Sequence, residues 1–123
     1  MLIASSSEGK SLFQSVDGLP ALISDPWLNG RLTALHACSD LWATGAFVAS
    51  AQAVITLPNL PVKIQQELLT QSLSGINSAL ESQGAELVGG HTYESRSNSP
   101  AQSSLGIEIA LSINGWVPSG LHP

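Results

Sequence analysis

The sequence predicts an α/β two-layer sandwich: a mixed β-sheet with two helices packed on one face. Three observations point there. Phe47–Leu57 and Ser104–Asn114 alternate apolar and polar residues, the mark of half-buried strands. Two other stretches repeat apolar residues at helical spacing. The elements follow in the order β-β-α-β-α-β-β, which suits one sheet covered on a single side.

Leu2–Ser6 and Leu12–Asp17 read as short strands, and the Ser/Glu/Gly cluster between them suits a hairpin loop. Asp25-Pro26 marks a helix start, with Asp25 as N-cap and Pro26 at the first helical position. This helix is expected to run to about Thr44 and stop at Gly45. Leu28, Leu32, Leu35 and Trp42 share one face of it, read as the apolar face; Asn29, Thr33, His36, Asp40 and Thr44 share a polar stripe.

In Phe47–Leu57, Phe47, Ala49, Ala51, Ala53, Ile55 and Leu57 are expected to face one way, with Val48, Ser50, Gln52, Val54 and Thr56 facing the other. Pro58–Pro61 is a turn into a second helix, whose buried stripe is Leu69, Leu73, Ile76 and Leu80 and whose stop is Gly84. Lys63 and Glu67 are spaced for an i,i+4 pair. Ala85–Val88 is a short strand. Ser95–Ser103 reads as a mobile loop and Trp116–Pro123 as an irregular tail. The second sheet face is left open, and a second subunit could cover it.

The chain has 123 residues, enough for one domain. Charged residues make up only 11%, under half of the usual share of about 25%. So little charge hints at a surface covered by a partner. Net charge is −5 and the four basic residues are scattered, which argues against nucleic acid. One cysteine, Cys38, excludes an internal disulfide and suits a reducing compartment. No apolar run reaches membrane-spanning length. These features place the expected location in the cytoplasm.

The chemistry concentrates in acids and glycines. Ala85–Glu94 carries an apolar strand into Gly89-Gly90-His91-Thr92, with Glu94 two residues on. Paired glycines at a strand end let the backbone approach another group closely. Asp40 lies in the last turn of the first helix, where propensity and the helix dipole both disfavour it. Asp17 ends a strand, although Asp-Gly is also ordinary turn chemistry. Asp17, Asp40 and Glu94 suggest carboxylates gathered around one polar site. Such a set suits a hard cation such as Mg²⁺. The three histidines lack zinc spacing, and Cys38 reads as packing. There is no GxxxxGK[ST], GxGxxG or GxSxG.

The run Gln14–Ala46, QSVDGLPALISDPWLNGRLTALHACSDLWATGA, resembles the N-terminal half of selenophosphate synthetase (selenide, water dikinase). The matching features are Asp17, Asp25-Pro26, Gly30-Arg31, Ser39-Asp40 and, farther on, the LVGGHT of Leu87–Thr92. The likeness covers roughly Leu12 to Gly115 and extends to the wider AIR-synthase-like superfamily, which includes thiamine-monophosphate kinase and AIR synthetase.

The resemblance implies a single ATP-binding domain over residues 1–123, paired through its open sheet face in a homodimer. It implies Mg²⁺ held by Asp17 and Asp40, and ATP lined by a turn of Gly89, Gly90, His91 and Thr92. The full enzyme of that family converts ATP, selenide and water to selenophosphate, AMP and phosphate. No counterpart is expected here for the family's glycine-rich segment with its catalytic Cys or Sec and Lys, nor for its C-terminal domain, a partner of this one in the same enzyme. Cys38 does not match the catalytic position, so no catalytic residue is assigned and the chain alone is expected to be inactive. Gly18-Leu19 replaces two aromatics usual after the first Asp. The other readings are a non-catalytic dimeric ligand-binding module of the same fold, or a domain of another superfamily kinase or ligase.

Overall fold

The computed structural model describes residues 2–5, 10–20, 23–94 and 106–118. Five strands form one sheet: β1 (Leu2–Ser5), β2 (Lys10–Pro20), β3 (Phe47–Leu57), β4 (Glu86–Glu94) and β5 (Glu108–Pro118). Their spatial order is β1-β2-β5-β3-β4. All neighbours are antiparallel except β3 and β4. A parallel pair needs a crossover, and α2 (Val62–Glu81) supplies it. The other helix, α1 (Pro26–Ala43), joins β2 to β3 and lies beside α2. The expected two-layer sandwich is what forms.

Both helices end where the sequence says they should. The Asp25 carboxylate accepts the Leu28 amide at 3.0 Å, with Pro26 starting α1. At the other end the Gly45 amide donates to Trp42 O at 2.9 Å and the Ala46 amide to Leu41 O at 3.1 Å. This is a Schellman closure, and Gly45 takes the positive φ of 82° that it requires. Helix α2 closes the same way around Gly84 at φ 73°, with Ala85 donating to Leu80 O at 2.9 Å.

The packing of α1 reverses the expectation. Its buried residues are Asn29, Gly30, Thr33, Ala34, Ala37, Cys38 and Leu41. Leu28, Leu32 and Trp42 stand 38%, 41% and 44% exposed; Leu35 alone of that stripe packs partly against the core. The cause is a backbone-to-backbone approach of the two helices. A Cβ on Gly75 would lie 1.9 Å from Trp27 O, and one on Gly30 would lie 2.4 Å from Ser72 O. Only small residues fit such a seam, so the leucines turn outward. Arg31 closes the seam above by donating to Ser78 Oγ at 2.9 Å. In α2 the buried set is Ser72, Gly75, Ile76, Ala79 and Leu80, with Leu69 and Leu73 half-buried beside them. Glu67 bonds Gln71 at 2.6 Å.

Ile107, Ile109, Leu111, Ile113 and Val117 of the β5 segment and Ala51, Ala53, Ile55 and Leu57 of β3 face the helices. The alternation of β3 is broken near its start. The register with β5 shifts between Val48 and Ser50, leaving Ala49 as an extra residue. Val48 is therefore buried, and Phe47 points outward at 71% exposure, opposite Trp116. Strand bounds also differ. β2 runs from Lys10 on to Pro20, β4 continues through Gly89–Glu94, and β5 starts at Glu108 and includes Trp116 and Val117, which pair with Leu12 and Ser11. Cross-strand bonding there overrides the glycines and prolines that suggested an irregular tail. The loop expected over Ser95–Ser103 and the last residues from 119 onward lie outside the described residues. No described helix is long and apolar enough to cross a membrane.

The glycine seam yields a sharp expectation. Gly75→Ala forces the helices apart and lowers stability by about 3 kcal/mol, read from the urea unfolding midpoint.

Candidate functional site

Asp40 sits in the last turn of α1, on the flank that overlooks β2. Its Oδ2 accepts a hydrogen bond from Ser15 Oγ at 3.2 Å. Ser15 lies on the helix-facing side of β2 with the buried Phe13, and pairs with Ile113 of β5. Asp17 follows two residues later in unbroken register, opposite Leu111, so strand alternation puts position 17 on that same side. The carboxylate of Asp17 and the imidazole of His91 are outside the described side chains. Asp40 is exposed, and among the described residues no basic side chain pairs with it. Its stripe-mates diverge: Asn29 and Thr33 are buried, while His36 is exposed beside it.

The glycine pair belongs to a strand rather than a turn. Gly89 and Gly90 have φ of 154° and 150°, a region that side chains rarely enter. The register with β3 shifts just before them, between Ala51 and Gln52, so Val88 is the extra residue. A Cβ on Gly90 would lie 1.7 Å from Ala53 O, so β4 can reach β3 there only with glycine. At Gly89 a Cβ would meet nothing within 4 Å. That open space continues into a cavity of about 250 Å³ lined by Ala53, Ile55, Leu73, Leu87, Gly89, Gly90 and Thr92. Four aliphatic side chains make its floor, and the Thr92 hydroxyl and bare glycine backbone supply the polar groups.

Position 17 and Gly90 occupy opposite ends of one rung of the sheet. Asp17 pairs with Leu111, Leu111 with Ala53, and Ala53 with Gly90. Three strand spacings separate the ends, about 14 Å. Glu94 lies at the far end of edge strand β4, opposite Leu57, and is not brought to Asp40. Among the described residues no three His, Cys, Asp or Glu side chains cluster closely enough to hold a metal ion. Glu94 therefore drops out of the expected three-carboxylate set. Sequence reasoning missed Ser15 and the aliphatic floor. The Ser15-Val16-Asp17 spacing was the available signal for the first.

Cys38 is buried in the helix seam. Burial pushes its thiol pKa above the ordinary value, and the Gln83 amide, donating to Sγ at 3.6 Å, offsets part of this. The same Gln83 accepts from the Trp42 indole N–H at 3.1 Å, which caps this end of the seam.

Residues 2–117 match the family described as AIR synthase related protein, N-terminal domain. The chain belongs to that family. A selenide, water dikinase from Geobacter metallireducens is 31% identical to the AIR-synthase-related chain over 115 residues, 92% of the chain and 30% of that relative. The chain spans under a third of the curated relatives it matches. Many solved structures share its fold, and two illustrate it. One is thiamine-monophosphate kinase from Stenotrophomonas maltophilia K279a, with a TM-score of 0.74 at 18% identity, covering 94% of this chain and 34% of that one. The other is hydrogenase maturation protein HypE in complex with ATP, with a TM-score of 0.66 at 19% identity, covering 91% and 32%.

The buried thiol has two measurable consequences. Cys38 in the folded AIR-synthase-related chain resists alkylation and reacts fully in denaturant, as followed by mass spectrometry. A folded-state pKa raised above the unfolded value stabilises fully below the unfolded value, about 8.5. That contribution is lost as pH rises from there through the folded value. The stability of wild type relative to Cys38→Ala therefore falls above about pH 8.5, as read from paired urea titrations.

Proposed function

We propose that this chain is the ATP- and Mg²⁺-binding, dimerising domain of a selenophosphate synthetase-like phosphotransferase. The carrying observation is the Asp40 carboxylate, exposed, bonded to Ser15 and turned toward the strand that bears Asp17. Two acids on facing elements, with no described basic partner for Asp40, are oxygen donors of the kind a hard dication takes. Asp17 and Asp40 would hold Mg²⁺. The ion would neutralise charge on the transferred phosphates.

ATP would lie with part of its surface against Gly89, Gly90, His91 and Thr92. The cavity beneath them, about 250 Å³, falls just short of the range of about 300–1,000 Å³ for small-molecule sites. It suits one moiety of a nucleotide, with the rest enclosed by a further surface. The C-terminal domain of the same enzyme is the natural source of that surface, and the relatives' greater length supports this.

A second copy is supported by the outer sheet face. Val16 is 69% exposed there, Phe47 stands opposite Trp116, and Tyr93 is exposed on β4. An apolar face of this kind is costly in water and stable when paired. Turnover itself would require the rest of the enzyme, so the domain alone would bind and pair without catalysis.

Two experiments test the reading. In calorimetry of Mg²⁺–ATP binding to the full chain, Asp17→Asn and Asp40→Asn each weaken binding by more than about tenfold. Heat indifferent to both substitutions overturns the metal assignment. In sedimentation at micromolar concentration the chain is a dimer and Phe47→Asp is a monomer. A wild-type monomer refutes the sheet-face pairing.

A further inference from the structure

We infer that Ser15 is a positioning residue: its hydroxyl holds the Asp40 carboxylate in the orientation that receives the divalent cation. This rests on the metal assignment proposed above for Asp40. Three observations carry it. The hydrogen bond runs across the sandwich, from Ser15 Oγ on β2 to Asp40 Oδ2 on α1, at 3.2 Å. Ser15 occupies a helix-facing position, between buried Phe13 and position 17 and across from fully buried Ile113. Packing would favour an aliphatic side chain at such a place, so a serine there is informative. Third, Asp40 has no described basic partner that could orient it instead.

The physical reason is rotamer freedom. An exposed aspartate in a final helical turn samples several side-chain orientations. One donor fixed on a neighbouring strand selects among them. With Oδ2 engaged by the hydroxyl, Oδ1 and the remaining lone pairs of Oδ2 are left for an ion. Ligating carboxylates are commonly held by such partners, whose removal typically lowers metal affinity by about 10–100-fold. The strand that supplies the donor also carries position 17 two residues on, so the hydrogen bond ties Asp40 to the element that bears it. Gln14, the neighbour of Ser15, points to the opposite sheet face and donates to Ser112 Oγ at 2.9 Å, which ties β2 to β5 at this level.

The test is Mn²⁺ binding to the full chain in the presence of ATP, followed by electron paramagnetic resonance of the free ion. Ser15→Ala is expected to weaken Mn²⁺ binding by about tenfold. Ser15→Thr, which keeps the hydroxyl, is expected to restore it. The thermal midpoint of Ser15→Ala stays near wild type, because the lost bond is exposed, and metal-free ATP binding measured in EDTA is unchanged. If Ser15→Ala binds Mn²⁺ like wild type while Asp40→Asn does not, the positioning role is refuted and the metal assignment stands. If Asp40→Asn also binds like wild type, or if the wild-type chain binds no Mn²⁺, both fall together. If Ser15→Thr behaves like Ser15→Ala, the hydroxyl is not the operative group and the inference is overturned.

Discussion

Contact between two helix backbones governs everything above the sheet. The Trp27 carbonyl stands where a side chain of residue 75 would be, and the Ser72 carbonyl where one of residue 30 would be. Helices touching at that range cannot roll independently. The seam admits glycine, alanine, serine and cysteine, and it accepts a polar cost: the Thr33 and Ser72 hydroxyls are buried without a hydrogen-bond partner in the described structure. Each such orphan costs roughly 1–3 kcal/mol. Tight apposition, with Leu41, Ile76 and Leu80 fully buried around it, offsets that cost. The roll so imposed turns Leu28 and Leu32 outward and swings Asp40 toward β2. The polar pair at the candidate site is thus downstream of a steric rule several residues away.

The sheet divides its labour by face. Toward the helices it presents isoleucine, leucine and alanine from β3 and β5, which fill the core. Away from them it presents Val16, Phe47, Trp116 and Tyr93 among small polar residues. The two halves of the proposed nucleotide site sit at opposite edges of the helix-facing side. β2 carries Asp17, with Asp40 on α1 beside it, and β4 carries the glycines, with two aliphatic strands between them. A ligand engaging both ends must span the sheet or draw on a second surface. That geometry agrees with a domain that is a fraction of its relatives' length.

Much of this was legible in the residues. Asp25-Pro26 and the two stop glycines bound the helices correctly because caps are local chemistry. Alternation located β3 and β5, and the Asp, Gly-Arg and Ser-Asp spacing led to the right family. The roll of α1 was not legible. Counting apolar residues favours Leu28, Leu32 and Trp42 for the inside, and nothing local reveals that a glycine on another helix forbids it. Gly89-Gly90 resembled a turn because glycine usually punctuates strands; only the neighbouring Ala53 carbonyl explains why Gly90 sits inside one. The β5 tail failed for a related reason, since pairing with Leu12 and Ser11 outweighs the local signals of Gly115 and Pro118. Ser15 passed unnoticed because a single serine carries no weight until its partner is known.

Ala49 has a consequence out of proportion to its size. As one surplus residue it acts as a phase shift in the strand, so Phe47 and Val48 obey a parity opposite to that of Ala51 and everything after it. Allegiance to the inner or the outer surface is set there by a count and not by the identity of any side chain. Taking the surplus residue into the ladder, with nothing deleted, would exchange the roles of its two predecessors without altering either, drawing the aromatic ring inward and expelling the valine.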